Sequence, residues 1–277
     1  MEQEKSLIDT SVHFYDREAL SYPHLKRLHL SFASHYGDYS SLPSHFHRTD
    51  YPGSRKAIGV EFGSKDRIRE ANWLSKQADG VVAGIEILSE DFFLCLSAHT
   101  QLPNLCAVRE GLRSVTSFHL LDFKWRSHFK AVVAIGIPFE VEIYANQIPD
   151  LIELVHLFPS HRFILSAMGW PREDHEIWIN AMRILSKCEN VAVKVCSLDG
   201  VFGSNWTVEM VRPWIEDLME LFGFHRVMFG SSFPWPLLSH KMRDPFTCYQ
   251  KVLRGCSKEE REWAFKKAAE QWYHIEV

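Results

Sequence analysis

This 277-residue chain has no Cys-x-x-Cys pair, no glycine-rich phosphate loop and no long apolar run, and its charge is nearly balanced. Each absence removes a class of protein. The six cysteines, Cys95, Cys106, Cys188, Cys196, Cys248 and Cys256, stand apart and mostly in apolar segments. They read as reduced thiols of a cytoplasmic protein, not as a disulfide framework or a thiolate metal knuckle. A formal net charge of -4 supplies no sequence-wide basic field, which argues against nucleic acid or an anionic membrane as partner. The opening MEQEKSLIDT is acidic and polar, the wrong pattern for a secretory leader, and no segment approaches the about 20 apolar residues of a membrane-crossing helix. Without G-x-G-x-x-G or a P-loop, an open nucleotide-binding sheet loses its main signature. The expected partner is a small molecule.

What is present is core material: 46% hydrophobic residues, with 13% aromatics, can fill a large interior. The length is near that of one (β/α)₈ barrel, so a single domain over residues 1–277 is expected. Short β-rich runs alternate with helical patterns, as in parallel βα units. Eight such runs occur, at 7–14, 57–63, 81–87, 105–109, 139–144, 163–168, 191–195 and 227–230. Between them, 65–78, 148–158, 175–188 and 208–222 place apolar residues at three and four spacing, as helices covering a sheet do. Ser257 followed by Glu260 has the form of a capping box opening a last helix. The prediction is an α/β fold, a TIM-type barrel. One connection is abnormal, because residues 15–56 separate the first two strands where two to six residues are usual. Rich in Tyr, Phe and His, this excursion fits either a lid over the pocket or a contact between subunits of a homo-oligomer.

Several ordered motifs resemble the amidohydrolase-related enzymes, in the branch of sugar-lactone and pyrone-dicarboxylate lactonases. The stretch Ile8-Asp9-Thr-Ser-Val-His13-Phe-Tyr-Asp16 is similar to that family's first strand, and Glu70-Ala-Asn-Trp-Leu74 to the helix after the second. Ala107-Val-Arg109-Glu-Gly-Leu112 resembles a Gly-Ile-Arg strand, and Phe163-Ile-Leu-Ser-Ala-Met-Gly-Trp-Pro171 the strand that normally reads Leu-Asp-His-x-Gly-x-Pro. Asn190-Val-Ala-Val-Lys194 and Arg226-Val-Met-Phe-Gly-Ser-Ser-Phe-Pro234 follow in order, so the likeness runs almost end to end. It implies a barrel with its site at the carboxyl ends of the strands and hydrolysis of small, often carboxylated, cyclic esters. The family's catalytic set does not carry over. Ser11 stands where the first-strand histidine belongs, Ala167 after Ser166 where the sixth strand has its Asp-His, and Ser232 where the last strand has an aspartate. Of that set only His13 remains.

Residues two apart on a strand share a face, so Ser11 and His13 point the same way, into the barrel if the resemblance holds in register. Glu61, Glu86, Arg109, Glu140, Glu142 and Lys194 each interrupt an apolar strand run. Charges in such positions are costly unless paired, so they are either buried pairs or the lining of a polar pocket; as a constellation they favour a pocket. The planar fork of Arg109 suits a substrate carboxylate, with a pair to Glu61 or Glu86 as the alternative. His13 is a candidate acid or base, or else a packed histidine. Lys194, between Val193 and Val195, is a candidate base or imine former if desolvation lowers its pKa. Glu61 completes the candidate catalytic set, and Ser11, Glu142, Ser232 and Trp170 are candidate substrate contacts. Trp170 and Trp235 serve equally as an aromatic wall or as packing.

Zinc needs three or four converging imidazole, carboxylate or thiolate donors, which His13 alone does not provide. In the excursion, His45-Phe-His47 with His24, His29 and His35 offers a second candidate cluster, although loop histidines more often face solvent or pack. No metal and no cofactor are therefore expected. The expected function is metal-independent hydrolysis of a small anionic cyclic ester. Its alternative is a barrel turned to a lyase, isomerase or cyclase step, or to ligand binding without turnover.

Overall fold

A computed structural model describes residues 7–26, 42–52, 55–114, 120, 122–171, 174–238 and 244–275. Eight parallel strands lie in sequence order: β1 (Ile8–Val12), β2 (Lys56–Val60), β3 (Gly80–Gly84), β4 (Leu105–Gly111), β5 (Phe139–Glu142), β6 (Phe163–Leu165), β7 (Val191–Val195) and β8 (Val227–Phe229). The sheet returns on itself where Val12 bridges Phe233, with His13 N–H donating to the Phe233 carbonyl at 2.7 Å and Ser232 N–H to that of Ser11 at 2.7 Å. This is the (β/α)₈ barrel anticipated from the alternation, with every expected strand run occupied.

Side-chain alternation explains how the strands hold two layers together. Val191, Val193 and Val195 of β7 pack outward against Val211, Ile215 and Leu218 of the helix Val208–Phe222, while Ala192 turns inward with Ile58, Val60, Val82, Ile164 and Met228. Each large apolar side chain buried this way contributes about 1.5–3 kcal/mol. Several helices begin where a short oxygen-bearing side chain takes up a free N–H. Asp66 caps Arg67–Leu74, Asp122 caps Phe123–Ile135, Asp174 caps His175–Leu185 and Thr207 caps Val208–Phe222. The anticipated Ser257 capping box forms, with Glu260 N–H donating to Ser257 Oγ at 3.2 Å and Ser257 N–H to Glu260 Oε2 at 2.7 Å. The helical run it opens ends in Ala268, Ala269, Trp272 and Tyr273, which pack on Ile8, Ile58 and Cys106 and close the amino-terminal end of the barrel.

The long excursion is folded onto the other end. Tyr15–Asp16 and His45–Phe46 form a small antiparallel ribbon, and Phe46 stacks on Phe14 and Phe233 with ring centroids 5.9 and 6.1 Å apart. Tyr51 donates to Asp9 Oδ2 at 2.7 Å. Leu42 is buried with Ala167, Trp170, Cys196 and Leu238, so the chain crosses the rim from β1 to the ends of β6 and β7. Of the histidines singled out in this segment, His29 and His35 lie outside the described residues.

Candidate active site

Two of the three positions where the resemblance implies a catalytic group, Ser11 and Ser232, come together in a seam of hydroxyls. Ser232 Oγ accepts from Ser197 N–H at 2.9 Å and lies 3.1 Å from Ser197 Oγ and 3.4 Å from Ser11 Oγ. Ser11 N–H donates to Asp9 Oδ1 at 3.1 Å, and Ser231 N–H to the same oxygen at 2.8 Å. Four buried serines and an aspartate thus join β1, β7 and β8. Gly230 permits the approach, since a Cβ there would lie 2.5 Å from Ser11 Cβ and 2.8 Å from its backbone nitrogen. Ser11 and Ser232, expected as substrate contacts, are 2% and 1% exposed and hydrogen-bond to one another.

His13 sits at the top of β1 against Phe62, with Nδ1 at 3.2 Å from the carbonyl oxygens of both Val60 and Glu61. Two carbonyl acceptors place the proton on Nδ1 and leave Nε2 as an acceptor. Burial, followed by the nearby charges of Arg109 and Lys194, lowers its pKa to about 3. His13 is therefore a neutral imidazole at any ordinary pH: it can accept a hydrogen bond but is a weak base and no reservoir of protons.

Beside it runs a ladder of alternating charge. Arg109 on β4 pairs closely with Glu142 Oε2, while its Nε lies 3.8 Å from Glu61 Oε1 and 3.9 Å from Glu140 Oε1, without a hydrogen-bond partner. Its nearest partner is thus Glu142; of the two glutamates considered as partners from sequence, Glu61 pairs with it at 3.8 Å and Glu86 does not. Glu86 points away, is largely exposed and pairs with Arg67 at 2.7 Å. Arg113 Nε reaches the other Glu142 oxygen at 2.8 Å and lays its guanidinium over the Trp170 ring, 4.0 Å from the centroid. Burial alone would raise the Glu142 pKa, yet the charges of Arg109 and Arg113 bring it down to about 2. Arg113 escaped the sequence reading; the signal was a second arginine four residues after Arg109, just past Gly111 at the strand's end.

Lys194 and Glu140 form the lower rung. Lys194 Nζ donates to Glu140 Oε1 at 2.7 Å and to the Thr10 carbonyl at 3.3 Å, and Tyr273 Oη donates to Glu140 Oε2 at 2.9 Å. Both charged side chains are fully buried. Lys194 is thus a paired interior cation, the alternative that the sequence left open, and it meets the rim only through Glu140 and Arg109.

Glu61 is the most exposed carboxylate of the ladder, at 21%. Glycine makes its room, because a Cβ on Gly84 would come within 2.9 Å of Glu61 Cγ. The loop that carries it is held by Glu70, which accepts from Phe62 N–H at 2.9 Å and Ser64 N–H at 3.1 Å. Burial and then the charge of Glu61 push the Glu70 pKa up to about 8.

The metal site implied by the resemblance does not fit these residues. His13 Nε2 is a ligand atom, but its counterparts are a seam hydroxyl at Ser11, a methyl at Ala167 and another seam hydroxyl at Ser232. Among the described residues, only His45, His47 and Asp50 form a converging group of three or more such donors, and they lie on the ribbon and the turn after it, outside the barrel.

The family model for amidohydrolases matches residues 8–275. The chain belongs to the amidohydrolase family. A relative from Sinorhizobium fredii (strain NBRC 101917 / NGR234), the uncharacterized protein y4mH, is 27% identical over 300 residues, covering 98% of this chain and 99% of its own. An amidohydrolase from Burkholderia multivorans with bound HEPES has a TM-score of 0.80 at 17% identity, covering 98% of this chain and 99% of its own. A Pseudomonas putida protein provisionally assigned as a 2-pyrone-4,6-dicarboxylic acid hydrolase has a TM-score of 0.67 at 17% identity, covering 98% of each chain. At these identities the solved structures share the fold, and the residues of this chain must carry the chemistry.

Proposed function

We propose that this amidohydrolase barrel is a lactonase-like hydrolase of a small anionic cyclic ester, working without a metal at the carboxyl ends of its strands. The observation that carries the reading is the group Arg109–Glu142–Arg113–Trp170 beside the neutral His13. Two arginines share one carboxylate, and the outer one is stacked on an indole, so a planar ligand with a carboxylate has a flat surface and a fork of donors to meet. In this reading Arg113 and Trp170 hold the substrate and Arg109 faces the negative charge that develops on the carbonyl oxygen. His13 Nε2 accepts a hydrogen bond from the attacking water and Glu61 takes the water's other proton as the new carbon–oxygen bond forms; the protonated Glu61 then gives that proton to the ring oxygen as the ester carbon–oxygen bond breaks. Lys194 acts as a positioning residue, keeping Glu140 ionised beneath Arg109. Within this reading the site lies in one domain of a cytoplasmic protein.

The test is an assay of chelator-treated protein against a panel of carboxylated lactones. Turnover that persists after chelation and falls in Glu61→Gln is expected; no turnover of any member overturns the reading. A second reading is favoured by the weak basicity of His13 together with Ser232 in place of an acidic base. There the pocket performs a lyase, isomerase or cyclase step, or binds without turnover. Reaction in ¹⁸O-labelled water separates the two, since only hydrolysis puts the label into the product acid.

A further inference from the structure

We propose that the ribbon of the long excursion carries a divalent-metal site of its own, built from His45, His47 and Asp50 and suited to zinc. Alternation along the ribbon creates it. Phe46 turns inward onto Phe14 and Phe233, which sends its two neighbours to the outer face, where the imidazole centroids of His45 and His47 lie 4.6 Å apart. The turn Arg48–Asp50 then folds back, with His47 N–H donating to Asp50 Oδ2 at 2.8 Å, and brings the carboxylate alongside the rings. One donor atom from each of the three lies within 4.8 Å of the others.

The neighbouring groups prepare the ligands. Asp16, opposite His45 on the partner strand, accepts from His47 Nε2 at 3.0 Å. A carboxylate there fixes the proton on Nε2 and leaves the Nδ1 lone pair for a metal, the usual second partner of a ligating histidine. Ser44 Oγ lies 3.2 Å from His45 Nδ1, which leaves His45 Nε2 free. Four-coordinate zinc, with bonds of about 2.0–2.2 Å, brings its ligand atoms to roughly 3.4 Å from one another. The contraction from 4.8 Å is small, and the exposed side chains of His45 and Asp50 can supply it by rotation. Two imidazoles and a carboxylate are borderline ligands of the kind zinc prefers over calcium or magnesium, with a fourth position left to water. The ion would tie the ribbon to the turn after it, and through Phe46 would steady the part of the excursion that lies on Phe14 and Phe233.

The test titrates chelator-stripped full-length protein with zinc alone, followed by equilibrium dialysis and metal analysis. One equivalent should be retained, with affinity reduced at least tenfold in His45→Ala and in Asp50→Asn. Asp50→Asn keeps the shape of the turn and serves as the control for folding. His13→Ala should bind as the parent does, and zinc should raise the melting temperature of the parent but not that of His45→Ala. Absence of stoichiometric zinc, binding unchanged in His45→Ala and Asp50→Asn, or binding lost in His13→Ala would each overturn the proposal.

Discussion

The two ends of this barrel are built on opposite principles. The amino-terminal end is apolar and closed, with Ile8, Ile58, Ile164 and Met228 sealed by Ala268, Ala269 and Trp272. The carboxyl rim holds buried charge, the hydroxyl seam and most of the backbone strain. Ala167, Met168, Trp170, Ser197 and Ser232 adopt φ between 42° and 58° there, and His274 is the other described non-glycine residue with positive φ. Such conformations cost of order 1–3 kcal/mol each, so the packed end must support the strained one. With the proposed site at the rim, stability and activity should separate along the barrel axis, and substitutions can test that separation.

The largest effect should come from the rung between the two ends. Lys194→Met leaves Glu140 as a buried, poorly compensated charge and should cost about 3–5 kcal/mol, while adding Glu140→Gln should recover much of it. Denaturant unfolding of the single and double variants checks this; equal losses in both would mean that the ion pair is not the cause.

Stability should next depend on pH through Glu110, outside the ladder. Burial raises its pKa from 4.5 to about 7, against hydrogen bonds from Ile87 N–H and Trp125 Nε1. A folded-state pKa above the unfolded one adds stability that is complete below about pH 4.5 and lost as pH rises through about 7, on the order of 3 kcal/mol. Melting temperatures measured from pH 4.5 to 8 should decline, and less steeply in Glu110→Gln.

At the rim the effects should move to activity. Glu61→Gln should lower kcat by about a hundredfold or more, as expected for loss of a general base, with stability changed by less than about 1 kcal/mol. Gly84→Ala, which crowds Glu61 without removing it, should lower kcat in the same direction. The smallest effect belongs to Arg113→Lys. It keeps the charge but loses the fork and the stack on Trp170, and should raise KM about tenfold with little change in kcat. A larger drop in kcat than in 1/KM would move Arg113 from binding to chemistry.

The barrel was legible because its strands are short apolar runs with a period of two, and its amphipathic helices carry a clear stripe. The helix Phe92–His99 was missed for the opposite reason. Its sequence, FFLCLSAH, is apolar around most of its circumference and gives no three-four signal. At the site, sequence identified Arg109, Glu142 and His13 as strand-end polar residues but could not pair them. Glu86 shows why: a charge in an apolar run reads the same whether it faces the interior or, as here, meets Arg67 on the outside. Contacts such as Ser11 with Ser232 or Tyr273 with Glu140 join residues more than a hundred positions apart, and no local pattern encodes them.

Leu42 occupies a place where the resemblance would set a ligand. Its side chain is buried in one cluster with Ala167, at the strand end where the resemblance implies an imidazole. A histidine restored at position 167 would have to evict Leu42 and lift the segment that crosses the rim, before any ion could compensate for the disruption. Packing holds the space that coordination would need, so a single substitution toward a ligand at this strand end must first pass through a less stable barrel.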